Sequence, residues 1–117
     1  MESGQIFVVD AGGCDPAGLR SQAALERVFA AFISELDLRV VGQPKWHRFP
    51  EPGGITGYAI LTESHLAVHT FPESGFAAFD LYCCRALRDF DFGRVLRELL
   101  GARDVKVRRV ARGVSSE

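Results

Sequence analysis

Side chains able to do chemistry crowd one stretch of this sequence: the tripeptide Glu63-Ser64-His65, then His69, then Cys84. A hydroxyl or thiol beside an imidazole is the raw material of nucleophilic and proton-transfer chemistry, because histidine exchanges protons near neutral pH. A hydrolase built on Ser64 would need a base, an orienting third group and an exposed hydroxyl, yet there is no GxSxG elbow and Ser64 falls in or beside a strand. Metal binding by His65 and His69 lacks both a third ligand at a recognisable spacing and the helical HExxH pattern, so no metal is expected. Cys14, Cys83 and Cys84 include no CxxC pair, which suits a reducing compartment better than a disulfide framework or a zinc site.

The elements that must carry these residues show in the periodicity. Residues 5–11 are a β-branched run halted by Gly12 and Gly13, a strand ending in a turn. Asp15-Pro16 pairs an N-cap with a first-turn proline, and Ser21 offers a later cap. Leu25, Val28, Phe29, Phe32, Ile33 and Leu36 then form the apolar stripe of one amphipathic helix. Residues 38–42 read as a strand, 50–54 as a Pro/Gly loop, and 55–62, 65–71 and 77–84 as three more strands, with Pro72, Ser74 and Gly75 at the last turn. Phe92, Val95, Leu96, Leu99 and Leu100 mark a second helix closed by Gly101, residues 104–111 a final strand, and 112–117 a loose tail.

Of the 117 residues, 47% are hydrophobic and 25% charged, the balance of an ordinary globular chain. One domain spanning residues 1–117 is expected, with a fold class of α+β: a two-layer sandwich, two helices on one face of a mostly antiparallel sheet. Alternation sends Leu66 and Val68 of one strand, and Phe79, Leu81 and Cys83 of the next, toward the helices. His65, His69 and Phe71, with Asp80, Tyr82 and Cys84, share the other face. A face no helix covers needs a cover, and a second copy of the chain is the simplest one, so a homodimer through that region of the sheet is expected.

The formal net charge of −1 argues against nucleic acid as a partner, and the basic run from Arg103 to Arg112 reads as a solvated strand edge rather than an RNA-binding surface. No apolar run approaches the ~20 residues of a membrane span. Glu2 stands where a signal peptide would be basic, so no membrane and a cytoplasmic location are expected.

From His47 to Cys84 the sequence HRFPEPGGITGYAILTESHLAVHTFPESGFAAFDLYCC resembles the small, prokaryotic type of S-adenosylmethionine decarboxylase. Its most specific parts are ESH, HTFPE and GFAAFDLYCC; the opening GQIFVVDAGGCDP resembles the family's first strand and turn more weakly. The resemblance implies a proenzyme in which Ser64 attacks the carbonyl of Glu63. An N-to-O acyl shift and an elimination then cut the chain between residues 63 and 64, leaving a pyruvoyl group made from Ser64 as the cofactor. It implies that His69 assists processing, that Cys84 is the proton donor in decarboxylation, and that Phe49, Phe71 and Glu73 contact the substrate's adenosine, sulfonium and ribose. The product would be the aminopropyl donor for spermidine and other polyamines.

A pyruvoyl ketone also answers a chemical need: the carbanion left by loss of CO2 requires an electron sink, and Lys45 and Lys106, the only lysines, lie outside the cluster and leave no lysine for a bound pyridoxal phosphate. Thr56 stands where the family has a serine that supports processing; it keeps the hydroxyl and adds a methyl. Ile6 and Gly12 replace a histidine and an aromatic residue, Ser74 and Arg85 an aromatic residue and a glycine, and Phe71 stands where tryptophan is frequent. Loss of those aromatic residues leaves arginine or ornithine open as substrates beside S-adenosylmethionine. A non-catalytic, unprocessed paralogue that binds a nucleoside or an active partner is the other alternative. The joint presence of Ser64, His69 and Cys84 favours the enzyme.

Overall fold

A computed structural model describes residues 4–85 and 87–113; the end of the expected tail, residues 114–117, lies outside them. Six strands, β1 (Gly4–Gly12), β2 (Lys45–Arg48), β3 (Ile55–Leu61), β4 (Ser64–Phe71), β5 (Phe76–Cys83) and β6 (Asp104–Arg112), form one sheet in the order β2-β3-β4-β5-β1-β6. Every pairing in it is antiparallel.

Three helices pack on one face. Both candidate caps near the first helix are used, so the single expected helix is two: Asp15 caps α1 (Pro16–Leu19) by accepting from the Ala17 N–H, and Ser21 caps α2 (Gln22–Glu35) by accepting from the Ala24 N–H. α3 (Phe92–Leu100) starts at Asp91, which accepts from the Arg94 N–H, and stops at Gly101, whose φ of 67° is easy only for a residue without a Cβ. Phe32 of α2 meets Phe79 of β5 at 5.6 Å and Phe92 of α3 at 5.2 Å, so one aromatic centre joins both long helices to the sheet.

The strand expected at 38–42 is not one. Gly42 turns the chain at φ 72° and Pro44 follows two residues later, so only a single bridge, Val40 to Leu61, forms. The edge strand is β2 instead. Its Trp46 lies over Gly57, where any Cβ would collide with the indole, and packs on Phe29 at 4.9 Å. A strand too short to show a period of two is thus held by one large side chain filling the space left by a glycine.

Alternation sorts the faces as expected along β4 and β5. Leu66, Val68, Phe79, Leu81 and Cys83 are buried against the helices. The opposite face leaves Tyr58, Ile60 and Phe71 between 41% and 55% exposed, which is a large apolar exposure for a sheet centre.

Candidate functional site

The β3–β4 hairpin turns on two residues, Thr62 and Glu63, between the paired Leu61 and Ser64. The Thr62 N–H donates to the Arg39 carbonyl at 2.9 Å, so the segment after α2 holds this turn from outside. Cys84, the first residue beyond β5, donates its Sγ–H to the Glu63 carbonyl oxygen at 2.7 Å. Glu63, Ser64 and Cys84, separated by up to 21 positions in sequence, therefore meet at one end of the sheet.

Ser64 does not share the face of His65 and His69. Its cross-strand partners are Leu61 and Cys83, both buried on the helix side, so it points toward a cavity of about 250 Å³ lined also by Arg39, Glu63 and Arg85. Ser64 is the first residue of β4, and even-numbered positions of that strand face the helices, which parts it from the face expected for His65, His69 and Cys84.

His69 lies elsewhere. Its Nδ1 is hydrogen-bonded to Thr56 Oγ1 at 3.0 Å, across the pairing of β3 with β4. Five steps along the strand separate it from Ser64, about 17 Å, and the two point to opposite faces. Cys84 shares the open side with His69, but the register puts it six residues past Ala78, the partner of His69, about 20 Å away.

Around His69 a second cavity, of about 300 Å³, gathers Thr56, His69, Phe49, Phe71 and Glu73, five residues drawn from the sequence reading. The floor is β4. Phe49 reaches the cavity from the loop after β2, which closes on itself through Phe49 N–H to Gly54 O at 2.8 Å and is tied to α1 by Arg20 Nε donating to Pro52 O at 2.9 Å. Glu73 sits in the single 3-10 turn Pro72–Ser74, ended by Gly75 at φ 66°. Thr70, passed over in the sequence, anchors this end: its buried hydroxyl donates to Leu19 O at 2.8 Å and accepts from the Ile55 N–H at 2.9 Å. Only its polarity within an apolar strand pattern could have marked it.

His65 is held in an aromatic stack. Its ring stacks between Tyr58 at 5.6 Å and Tyr82 at 6.0 Å, a ladder across β3, β4 and β5. The described residues hold no group of three potential metal ligands. Among the thiols, Cys84 is exposed, while Cys14 is buried with its pKa pushed up to about 11 by loss of solvation. What the two cavities hold between them is a serine behind a thiol-contacted carbonyl, and a histidine–hydroxyl pair beside two exposed phenyl rings and a carboxylate.

An α+β architecture of this kind occurs in the crystal structure of the adenosylmethionine decarboxylase from Aquifex aeolicus VF5. That structure matches with a TM-score of 0.79 over 99% of this chain and 95% of that one, at 21% identity, a likeness of fold. Residues 5–113 match the family model described as S-adenosylmethionine decarboxylase. The S-adenosylmethionine decarboxylase proenzymes of Acetivibrio thermocellus and Geobacillus kaustophilus are 32% and 34% identical to the chain, over 97% and 95% of its length and 91% and 88% of theirs. The chain belongs to the S-adenosylmethionine decarboxylase family.

Proposed function

We propose that this chain is a self-processing decarboxylase of S-adenosylmethionine, that it cuts itself between Glu63 and Ser64, that the pyruvoyl group so formed is its cofactor, and that two cleaved copies make the working unit. The observation that carries the reading is the Cys84 thiol on the Glu63 carbonyl. When Ser64 Oγ adds to that carbonyl carbon, negative charge develops on an oxygen that already accepts the thiol proton. The C–N bond then breaks and an ester remains. Removal of the Ser64 Cα proton and rupture of its Cβ–O bond release Glu63 as a carboxylate; water enters at residue 64 and ammonia leaves. Ser64 fits this role chemically, since it follows an acceptor carbonyl held by a donor and lines a cavity together with Arg39 and Arg85.

The ketone supplies the electron sink for loss of CO2. The chain's own residues do the rest. Once the cut separates Glu63 from residue 64, the Cys84 thiol can deliver its Sγ proton to the carbon that lost CO2, a general-acid step worth about 10²–10⁴-fold. Phe49 and Phe71 offer exposed ring faces for adenosine and the sulfonium, a cation–π contact of about 0.5–2 kcal/mol, and Glu73 offers acceptors for ribose hydroxyls. Support for S-adenosylmethionine over arginine or ornithine comes from the named relatives and from this phenyl-lined cavity. Its decarboxylated product would be the aminopropyl donor for spermidine. A cytoplasmic location belongs to the same reading, and no described helix is long and apolar enough to cross a membrane.

The second copy follows from the spacing. Ser64 and Cys84 sit about 20 Å from Thr56 and His69, so one chain cannot bring both pairs to one substrate. A two-fold partner laid on the open face would set the His69 end of one copy against the Ser64 end of the other and cover Tyr58, Ile60 and Phe71.

Intact mass under denaturing conditions tests the reading first. Two pieces of 63 and 54 residues, 117 − 63 = 54, with a blocked N-terminus on the second, are expected. Release of CO2 should follow from S-adenosylmethionine and not from arginine or ornithine. A single uncut chain would overturn it in favour of the non-catalytic alternative.

A further inference from the structure

Arg85 follows Cys84 at one of the positions where the chain departs from the family resemblance, and one of its contacts reaches the side chain of Glu63, beside the bond proposed to break. Its Nη2 donates to the Asp37 carbonyl at 2.6 Å and to the Leu36 carbonyl at 3.4 Å, and its Nε lies 3.9 Å from Glu63 Oε1. Its own carbonyl accepts from the buried Gln5 amide at 3.5 Å. Asp37 adopts φ 54°, so the chain leaving α2 bends sharply at the point where the guanidinium receives its carbonyl. Arg85 thus ties the end of α2, the start of β1 and the Glu63 side chain to the position directly after Cys84.

Charge adds a second argument. The cavity at Ser64 is lined by two cationic residues, Arg39 and Arg85, and two acidic ones, Asp37 and Glu63. Cleavage converts the neutral Glu63 carbonyl into a further carboxylate at this place, so the cut state carries one more negative charge beside the same two cations.

We infer that Arg85 is a positioning residue for self-cleavage: it holds the Glu63 carbonyl against the Cys84 thiol before the cut and retains the new Glu63 carboxyl end in the Arg39–Arg85 cavity after it. This rests on the reading that Glu63–Ser64 is the bond cut. Neither role requires Arg85 to touch the reacting atoms.

The test follows cleavage of freshly synthesised full-length chain by intact mass, and retention of the 63-residue piece by native mass spectrometry at low and high salt. Arg85→Ala and Arg85→Gly should cut about tenfold more slowly, the size of one lost charge-assisted hydrogen bond, and shed the short piece at lower salt. Arg85→Lys should recover most of the rate. Arg88→Ala removes a different tie to α2, the Arg88–Glu35 pair at 3.3 Å, and should cut as fast as the unsubstituted chain. Equal cutting and equal retention in Arg85→Ala would overturn the inference alone, as would an equal slowing in Arg88→Ala, which would assign the effect to the hold on α2. An unsubstituted chain that stays whole would remove the parent reading and this inference together.

Discussion

At the scale of single residues, the proposed reading divides the work between the two ends of β4, and substitutions should separate them. Ser64→Ala should leave the chain whole. Cys84→Ala loses the donor on the Glu63 carbonyl and also the proposed proton source, so cleavage should slow by about 10²–10³-fold, the cost of removing one oxyanion donor, and turnover of whatever is cut should fall further. Mass analysis and CO2 release read the two losses separately, and unchanged cleavage would dissociate the thiol from processing. Cys14 provides the contrasting thiol. It is buried, with a pKa raised from 9.0 to about 11 by desolvation. The unfolded thiol ionises first as pH rises, so the folded state binds more protons between those values and stability must fall there, levelling off above the folded value. Urea midpoints at pH 8 and pH 10.5 should therefore lie closer together in Cys14→Ala than in the unsubstituted chain. Thiol labelling at pH 8 should reach the exposed Cys84 before Cys14 or Cys83.

At the scale of elements, β2 and the loop after it decide whether the cavity at His69 exists. β2 has four residues, and Trp46 secures it through Phe29 and Gly57. Trp46→Ala should cost about 2 kcal/mol, below the 3–5 typical of a fully buried tryptophan because the ring is partly exposed, and it should free the Phe49 loop. The expected signature is a lower urea midpoint together with a raised KM, since Phe49 loses its place, while cleavage at Glu63–Ser64 proceeds from the far end of the sheet. Asp91→Ala removes the cap of α3 and the exposed Asp91–Arg97 pair at 3.9 Å and should cost about 1 kcal/mol with no effect on KM, a control from the same core.

At the scale of the whole molecule, the sheet holds Ser64 and Cys84 about 20 Å from Thr56 and His69, and the proposed pairing of two copies is what would bring them to one site. Co-expression of Ser64→Ala with His69→Ala should restore cleavage of the His69→Ala chain, because a mixed pair contains one site with Ser64 from one copy and His69 from the other. Failure to complement, or a stable monomer in ultracentrifugation, would place processing within a single copy. The sequence by itself determined the α+β class, both long helices, the central β3–β4–β5 run and the caps at Asp15, Ser21 and Gly101, while five residues of the His69 cavity came from the family resemblance and Thr70 from neither. Those features rest on local signals: apolar period, capping oxygens, glycine at positive φ, and motifs close together along the chain. Tertiary structure alone decided that β2 starts at Lys45, since its stability comes from Trp46 against residues distant in sequence. It alone set Ser64 on the helix side of β4, through the register with Leu61 and Cys83. The contact of Cys84 with Glu63 and the anchoring of Arg85 on the end of α2 span 21 and up to 49 positions, and no local propensity encodes a distance closed only when the sheet assembles.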